Sequence, residues 1–299
     1  MRRKRKVGQA ILPGHRSDPT GTDRLERGAM RRFIPIMRAA TKAYQDALDK
    51  IPARPIAVNQ RYEFRLDQGL LMQLLTQAGA VLDDLLFDRY GSTWLFDDYV
   101  RPAAERGARQ AQQNLSRQAS IPMADLINTD PYRLRMALVR AREFEEMQGL
   151  SAGIKADLSR ILTEGIGRGL NPRDIARNLN AQTDISIFRA HRIARTEIPN
   201  ALRTARMEED EQIMEDYGIR TMQMHFSALS PTTRESHAAR HGGLFTIEQQ
   251  QNWWSDGANS INCRCVSISL LVDADNKPLD PAIVERAKRI KQTVEARRG

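Results

Sequence analysis

Four soft metal-type ligands gather in the last quarter of the chain. His237 and His241 stand four positions apart, so on a helix they share a face. Cys263 and Cys265 stand two apart, so on a strand they point to the same side. A fold-back that brought the pairs together would assemble a Cys2His2 set, a standard tetrahedral zinc site. The C-x-C spacing departs from the commoner C-x2-C pair. The competing reading is two small buried thiols and two surface histidines. A disulfide between Cys263 and Cys265 would close a very tight ring and is disfavoured.

The same residues admit catalytic readings. His237, His241 and Asn262, with Glu235 or Asp256, have the residue types of a metal-dependent nuclease. Between Tyr217 and Val272 the one other carboxylate is Glu248, so the acidic cluster a hard cation needs is thin. A cysteine nucleophile paired with His237 is a further alternative. There is no phosphate-cradling glycine motif and no G-x-S-x-G. The expectation is a protein that is not an enzyme.

The elements that must position these residues are mostly helical. From about Met30, the residues Phe33, Ile36, Met37, Ala40 and Tyr44 recur at helical steps until Pro52 and Pro55. Leu70 to Leu86 carries a wide apolar stripe and ends near Tyr90-Gly91. Ser92 or Thr93 is expected to cap a helix that bends or restarts at Pro102. Asp130-Pro131 opens another, with Leu134, Leu138, Ala141 and Phe144 on its apolar face, running to about Gly149. Ser151 to Arg168 is a further helix. Asn171 caps a short one from Arg173 to Leu179, and Asp184 caps a long one from Ile185 to Tyr217, with a kink at Pro199. Gly218 ends it as a C′ glycine.

After Gly218 the pattern changes. Ile219 to Phe226 alternates as a half-buried strand, and Glu235 to His241 is a short helix or turn. Val266 to Val272 is a second strand, with Cys263 and Cys265 facing away from Val266, Ile268, Leu270 and Val272. Pro281 to Arg298 is expected to be a basic, exposed helix. The fold class expected is α+β, mostly α: a helical N-terminal region followed by a small mixed α/β C-terminal domain. The boundaries expected are a basic flexible arm (1–28), a helical docking region (29–149), a C-terminal domain (150–275) and a basic C-terminal helix (276–299).

The chain has 299 residues and a net charge of +9. Residues 1–32 hold ten basic and three acidic residues, and residues 283–299 hold six and two, so the body between them is close to neutral. Basic ends seek polyanions through non-specific, salt-sensitive contacts, and Arg2, Arg3, Lys4, Arg5 and Lys6 are the expected nucleic-acid contacts. No run of eighteen apolar residues occurs, so no membrane span is expected. The basic start is not followed by an apolar stretch, which argues against a secretory signal. Two cysteines exclude a disulfide scaffold and fit a reducing compartment.

The order of the motifs adds a resemblance. Arg195-Thr196-Glu197 sits on a long helix that ends at Tyr217-Gly218. A strand with Phe226 follows, then Thr233-Arg234-Glu235-Ser236-His237, Gly242-Gly243, and finally Asn262-Cys263-Arg264-Cys265 before an apolar strand. Over roughly Ile185 to Val272 this resembles the C-terminal domain of the Mu F-like phage minor head (head-morphogenesis) proteins. The motif residues carried over are Arg195, Thr196, Glu197, Thr233, Arg234, His237, Asn262, Cys263, Arg264 and Cys265. The chain departs from the family at Phe226, where Trp is frequent, and at Ser230-Pro231-Thr232, where an Asp often precedes the Thr-Arg pair. The resemblance implies a structural, low-copy protein of a tailed-phage virion, assembled in the host cytoplasm. Its partners would be the portal protein, other head proteins and packaged DNA, with zinc as the one candidate cofactor.

Overall fold

The computed structural model describes residues 8–56, 61–87, 94–127 and 130–297. The basic run Arg2–Lys6, the helix end at Tyr90-Gly91 and the expected caps Ser92 and Thr93 lie outside the described residues. The chain is α+β and mostly helical. In order come α1 (Asp23–Asp49), β1 (Ala53–Pro55), β2 (Tyr62–Phe64), α2 (Gln68–Leu86), α3 (Asp97–Ala119), α4 (Asp130–Gly167) and α5 (Pro172–Tyr217). Then follow β3 (Thr221–Phe226), α6 (Glu235–Ala239), β4 (Leu244–Phe245), α7 (Ile247–Ser255), β5 (Val266–Leu271) and α8 (Ala282–Glu295).

Two compact units divide the chain. One contains residues 1–26, 99–141 and 195–299; the other contains 27–98 and 142–194.

Among the described residues, the second unit is helical apart from the antiparallel pair β1–β2. Its core is the apolar face expected on α1, where Phe33, Met37, Ala40 and Tyr44 are buried. Leu74, Ala78, Leu82 and Leu86 of α2 are buried too, as are Leu150, Ile154, Leu158 and Leu162 of α4. Tyr44 keeps its hydroxyl satisfied beside Ser159 Oγ at 3.2 Å. Asp83 accepts from Ser151 Oγ and Lys155 Nζ, both at 2.6 Å.

Several local expectations change here. Gly149 does not end a helix: α4 is continuous from Asp130 to Gly167. One exposed glycine costs about 1 kcal/mol in a helix, less than the burial of Met147, Leu150 and Ile154 around it recovers. Asp184 caps nothing and sits inside a continuous α5. The turn before α5 is as expected: Asn171 Oδ1 accepts from Arg173 N at 3.0 Å, with Pro172 first in the helix.

The first unit holds a three-stranded antiparallel sheet in the order β4-β3-β5, with Met224 opposite Ile268 and Phe226 opposite Val266. β3 is central and nearly all of it is buried, so its polar residues are interior rather than solvent-facing. The outer edge of β5 is closed by α3. Asn114 Nδ2 and Gln118 Nε2 each donate to Ser269 O at 2.8 Å, and Leu271 N donates to Gln118 Oε1 at 3.1 Å. Unpaired strand groups are thereby satisfied by side chains.

α3 runs unbroken through Pro102, and it packs so close to α5 that a Cβ on Gly107 would lie 2.1 Å from Leu202 O. Gly218, at φ +59°, ends α5 as the sequence indicates. α8 is not wholly exposed: Ile283, Val284, Ala287 and Val294 are buried along one face. Leu134 and Leu138 of α4, read as core, are each 62% exposed. Residues 8–22, expected as part of a flexible arm, are held in place: Ile11 N donates to Asn114 Oδ1 at 2.9 Å and Ala10 is buried.

Candidate functional site

Four segments of the first unit, one of them supplying Ser17 from before α1, converge on one pocket of about 190 Å³. α5 supplies Arg195; the segment from Ala228 through α6 supplies Ser230, Thr233, Arg234 and His237; the loop before β5 supplies Asn262, Cys263, Arg264 and Cys265. Eight of the ten motif residues read from the sequence therefore line a single cavity. Thr196 stands beside it, and Glu197 is half-buried on α5 outside the lining.

The geometry is fixed by backbone contacts. His225 N donates to Gly243 O at 2.9 Å and Gly242 N to His225 O at 2.8 Å, which pins the turn after α6 to β3. Ser230 N donates to Thr233 Oγ1 at 2.8 Å and so shapes the approach to α6. The Arg234 guanidinium donates to three carbonyls of the late loop: Ala258 at 2.5 Å, Asn259 at 3.1 Å and Ile261 at 3.1 Å. That clamp presents Asn262, whose φ of +51° turns the chain sharply into the Cys-Arg-Cys run. Asn262 N donates to Thr196 Oγ1 at 3.1 Å. Arg264 pairs with Asp23 and, at 3.4 Å, with Glu26. Burial raises the Glu26 carboxyl above its ordinary range, and the Thr22 hydroxyl and Arg264 pull it back.

Arg203 is a site residue the sequence reading missed. It is fully buried, its Nη1 donates to Cys263 O at 2.8 Å, and its guanidinium stands 5.0 Å from the Trp254 ring centroid. The signal was present in the spacing. Arg203, Arg206 and Asp210 recur at three- and four-residue steps, and all three are buried on one face of α5. Asp210 Oδ2 accepts from Gln223 Nε2 at 3.3 Å and from Ser269 Oγ. Burial pushes its pKa up to about 6, against the opposing pull of Arg206 and these hydrogen bonds.

The four candidate metal ligands separate into three and one. His237 Nδ1 lies 3.4 Å from Cys263 Sγ and 3.4 Å from Cys265 Sγ, and all three residues are buried. The cysteines reach this point from a turn, not from one face of a strand, because β5 begins only at Val266. Cys265 N donates to Cys263 Sγ at 3.4 Å, which folds the two sulfurs inward. A hydrogen bond from the Cys265 thiol, with Arg203 and His237 close by, holds Cys263 well below the usual thiol range and drives Cys265 above it. Both cysteines are free.

His241 does not join them. Its Nδ1 accepts from Ser227 N at 3.0 Å and its Nε2 faces Ala287 O at 3.1 Å, so both ring nitrogens are used. Burial keeps it neutral, with its pKa lowered to about 4. His225, on the polar side of the alternation in β3, is buried between Trp253, Trp254 and Gln250, and burial lowers its pKa to about 3.

The carboxylates of the nuclease reading are elsewhere. Glu235 and Asp256 are exposed, and neither lines the pocket. The lining contains three arginines and no Asp or Glu. Soft donors can bind a soft or borderline metal here, whereas the carboxylates that anchor Mg²⁺ or Ca²⁺ are not among the lining groups.

Residues 156–268 match the model of a family described as Phage Mu protein F like protein. The match begins earlier than the motifs alone indicated, taking in the end of α4 and the turn at Asn171-Pro172. No curated protein and no solved structure matches the chain.

Proposed function

We propose that this chain, Mu F-like over residues 156–268, is a structural minor head protein of a tailed-phage virion. In this reading it joins the head near the portal vertex during assembly in the host cytoplasm and lies against packaged DNA. The observation that supports a structural rather than a catalytic role is where the motif's polar groups are spent. Thr196 and Arg234 bond to backbone of the Ala258–Asn262 loop, and Arg264 pairs with acidic residues of α1. These contacts lock distant segments together, and no carboxylate lines the pocket they frame to act as a general base or to hold a hard cation.

The basic ends suit the same place. Dense DNA attracts Lys and Arg through counterion release, with no need for base readout. No helix among the described residues is long and apolar enough to cross a membrane.

The test is cross-linking mass spectrometry on proheads and mature particles of the phage that encodes the chain. The reading expects cross-links to portal and head proteins. Cross-links only to replication or host proteins would count against it. The nuclease alternative is tested by incubating supercoiled plasmid with the protein and Mg²⁺ or Mn²⁺, where the structural reading expects the plasmid to remain intact.

A further inference from the structure

We propose that His237, Cys263 and Cys265 form a three-ligand zinc site whose fourth coordination position opens to the pocket beside Arg195 and Thr233. The first support is geometric. A tetrahedral zinc with Zn–S of about 2.3 Å and Zn–N of about 2.0–2.1 Å places a nitrogen and a sulfur ligand about 3.5 Å apart. His237 Nδ1 stands 3.4 Å from each sulfur, and all three ligand atoms fall within 4.8 Å of one another.

The second support is convergence: His237 Nδ1 faces both sulfurs at once, and Cys265 N folds the Cys263 sulfur toward the same point. The third is that these side chains do not sit in a sealed core. They border a cavity of about 190 Å³ with a polar lining that includes Ser230, Thr233 and Asn262. Structural zinc sites are usually closed by four protein ligands, while sites with three keep a position for water or an incoming ligand. The sequence offered His241 as the fourth ligand. Its two ring nitrogens are already bonded to Ser227 N and Ala287 O, so the fourth position is left to the pocket. The donor set selects the metal: thiolate and imidazole suit zinc, and calcium or magnesium would need oxygen.

The site does not depend on the virion reading, and its test uses the purified full-length chain. Zinc content is measured after preparation without chelators, and Co²⁺ is then exchanged for zinc to report on the ligands by absorption. The expected result is one zinc per chain, a thiolate-to-cobalt charge-transfer band, and intense visible bands of a tetrahedral site. Adding azide shifts the visible bands, because the fourth position exchanges. His237→Gln lowers affinity by more than the roughly 10–100-fold that outer-shell partners are worth, and His241→Gln leaves metal content unchanged. Three results would overturn the proposal: less than a small fraction of an equivalent of zinc or cobalt bound by the parent chain; a cobalt spectrum without the thiolate band; or visible bands that azide does not move. These readouts come from the parent protein, so they stand even where a variant fails to fold.

Discussion

The backbone N–H of Asn262 donates to the hydroxyl of Thr196 at 3.1 Å, across 66 residues of sequence. This bond ties the Arg-Thr-Glu turn of α5 to the loop that carries both cysteines. Thr196→Val removes the acceptor at nearly constant volume and should cost about 0.5–1.5 kcal/mol. Thr196→Ser should restore most of it. Chemical denaturation of the three proteins measures the difference, and a Val variant as stable as the parent would show that this bond contributes nothing to stability.

Two glycines should respond in opposite directions to the same change. At Gly107 a new Cβ meets the backbone of Leu202, at 2.1 Å from the oxygen and 2.9 Å from the carbonyl carbon. Backbone cannot rotate away as a side chain can, so α3 and α5 must separate. Gly107→Ala should cost about 1–3 kcal/mol or more. At Gly149 nothing lies within 4 Å and the residue is inside α4. Gly149→Ala should stabilise by about 0.4–1 kcal/mol. Thermal melts of the two variants decide it; a drop in stability at Gly149 would mean that α4 is broken there after all.

Asp210 gives a pH dependence with a definite sign. Its carboxyl has an ordinary pKa of 3.8, raised to about 6 by burial. Between these values the unfolded chain has released the proton and the folded chain still holds it. Stability therefore falls as pH rises from about 4 to 6, by on the order of 3 kcal/mol from this group, and levels off above. His241 acts in the opposite sense over an overlapping range, since its folded pKa is lowered to about 4 and its stabilisation is lost as pH falls. The comparison must therefore be against Asp210→Asn. The parent should lose stability relative to that variant across pH 4–6; parallel curves would contradict the burial argument.

The wide apolar stripes were legible in the sequence because burial enforces them. Phe33, Met37, Ala40 and Tyr44 all lie in the core, as their spacing indicates. The punctuation was less legible. Gly149 and Asp184 read as a stop and a cap, yet tertiary burial on either side carries both helices through them. His225 and Gln223 read as the wet face of a strand. Both are fully buried, Gln223 beside Asp210 of α5 and His225 against Trp253, Trp254 and Gln250 of α7. At the site, the motif segments read from the sequence line one pocket, but spacing alone could not say that His241 would be consumed by Ser227 and Ala287. Arg203 carried no motif of its own; its helical spacing with Arg206 and Asp210 is the signal that marks it as buried.

If the basic N-terminus contacts DNA, replacing Arg2, Arg3, Lys4, Arg5 and Lys6 with Gln should weaken retention on non-specific duplex. The slope of log affinity against log salt should flatten by about 0.9 for each phosphate that the chain no longer neutralises. Binding titrations at several salt concentrations provide both numbers. An unchanged slope would assign DNA contact to other residues or to none.

The central claim is that the chain is a built-in, low-copy part of the phage head. It is tested most directly by quantitative mass spectrometry of purified, nuclease-treated particles, with the shell and portal proteins as internal standards. A structural minor head protein should co-purify with particles at a fixed ratio comparable to the portal protein and far below the shell protein. Absence from washed particles, or a copy number matching the shell, would contradict it.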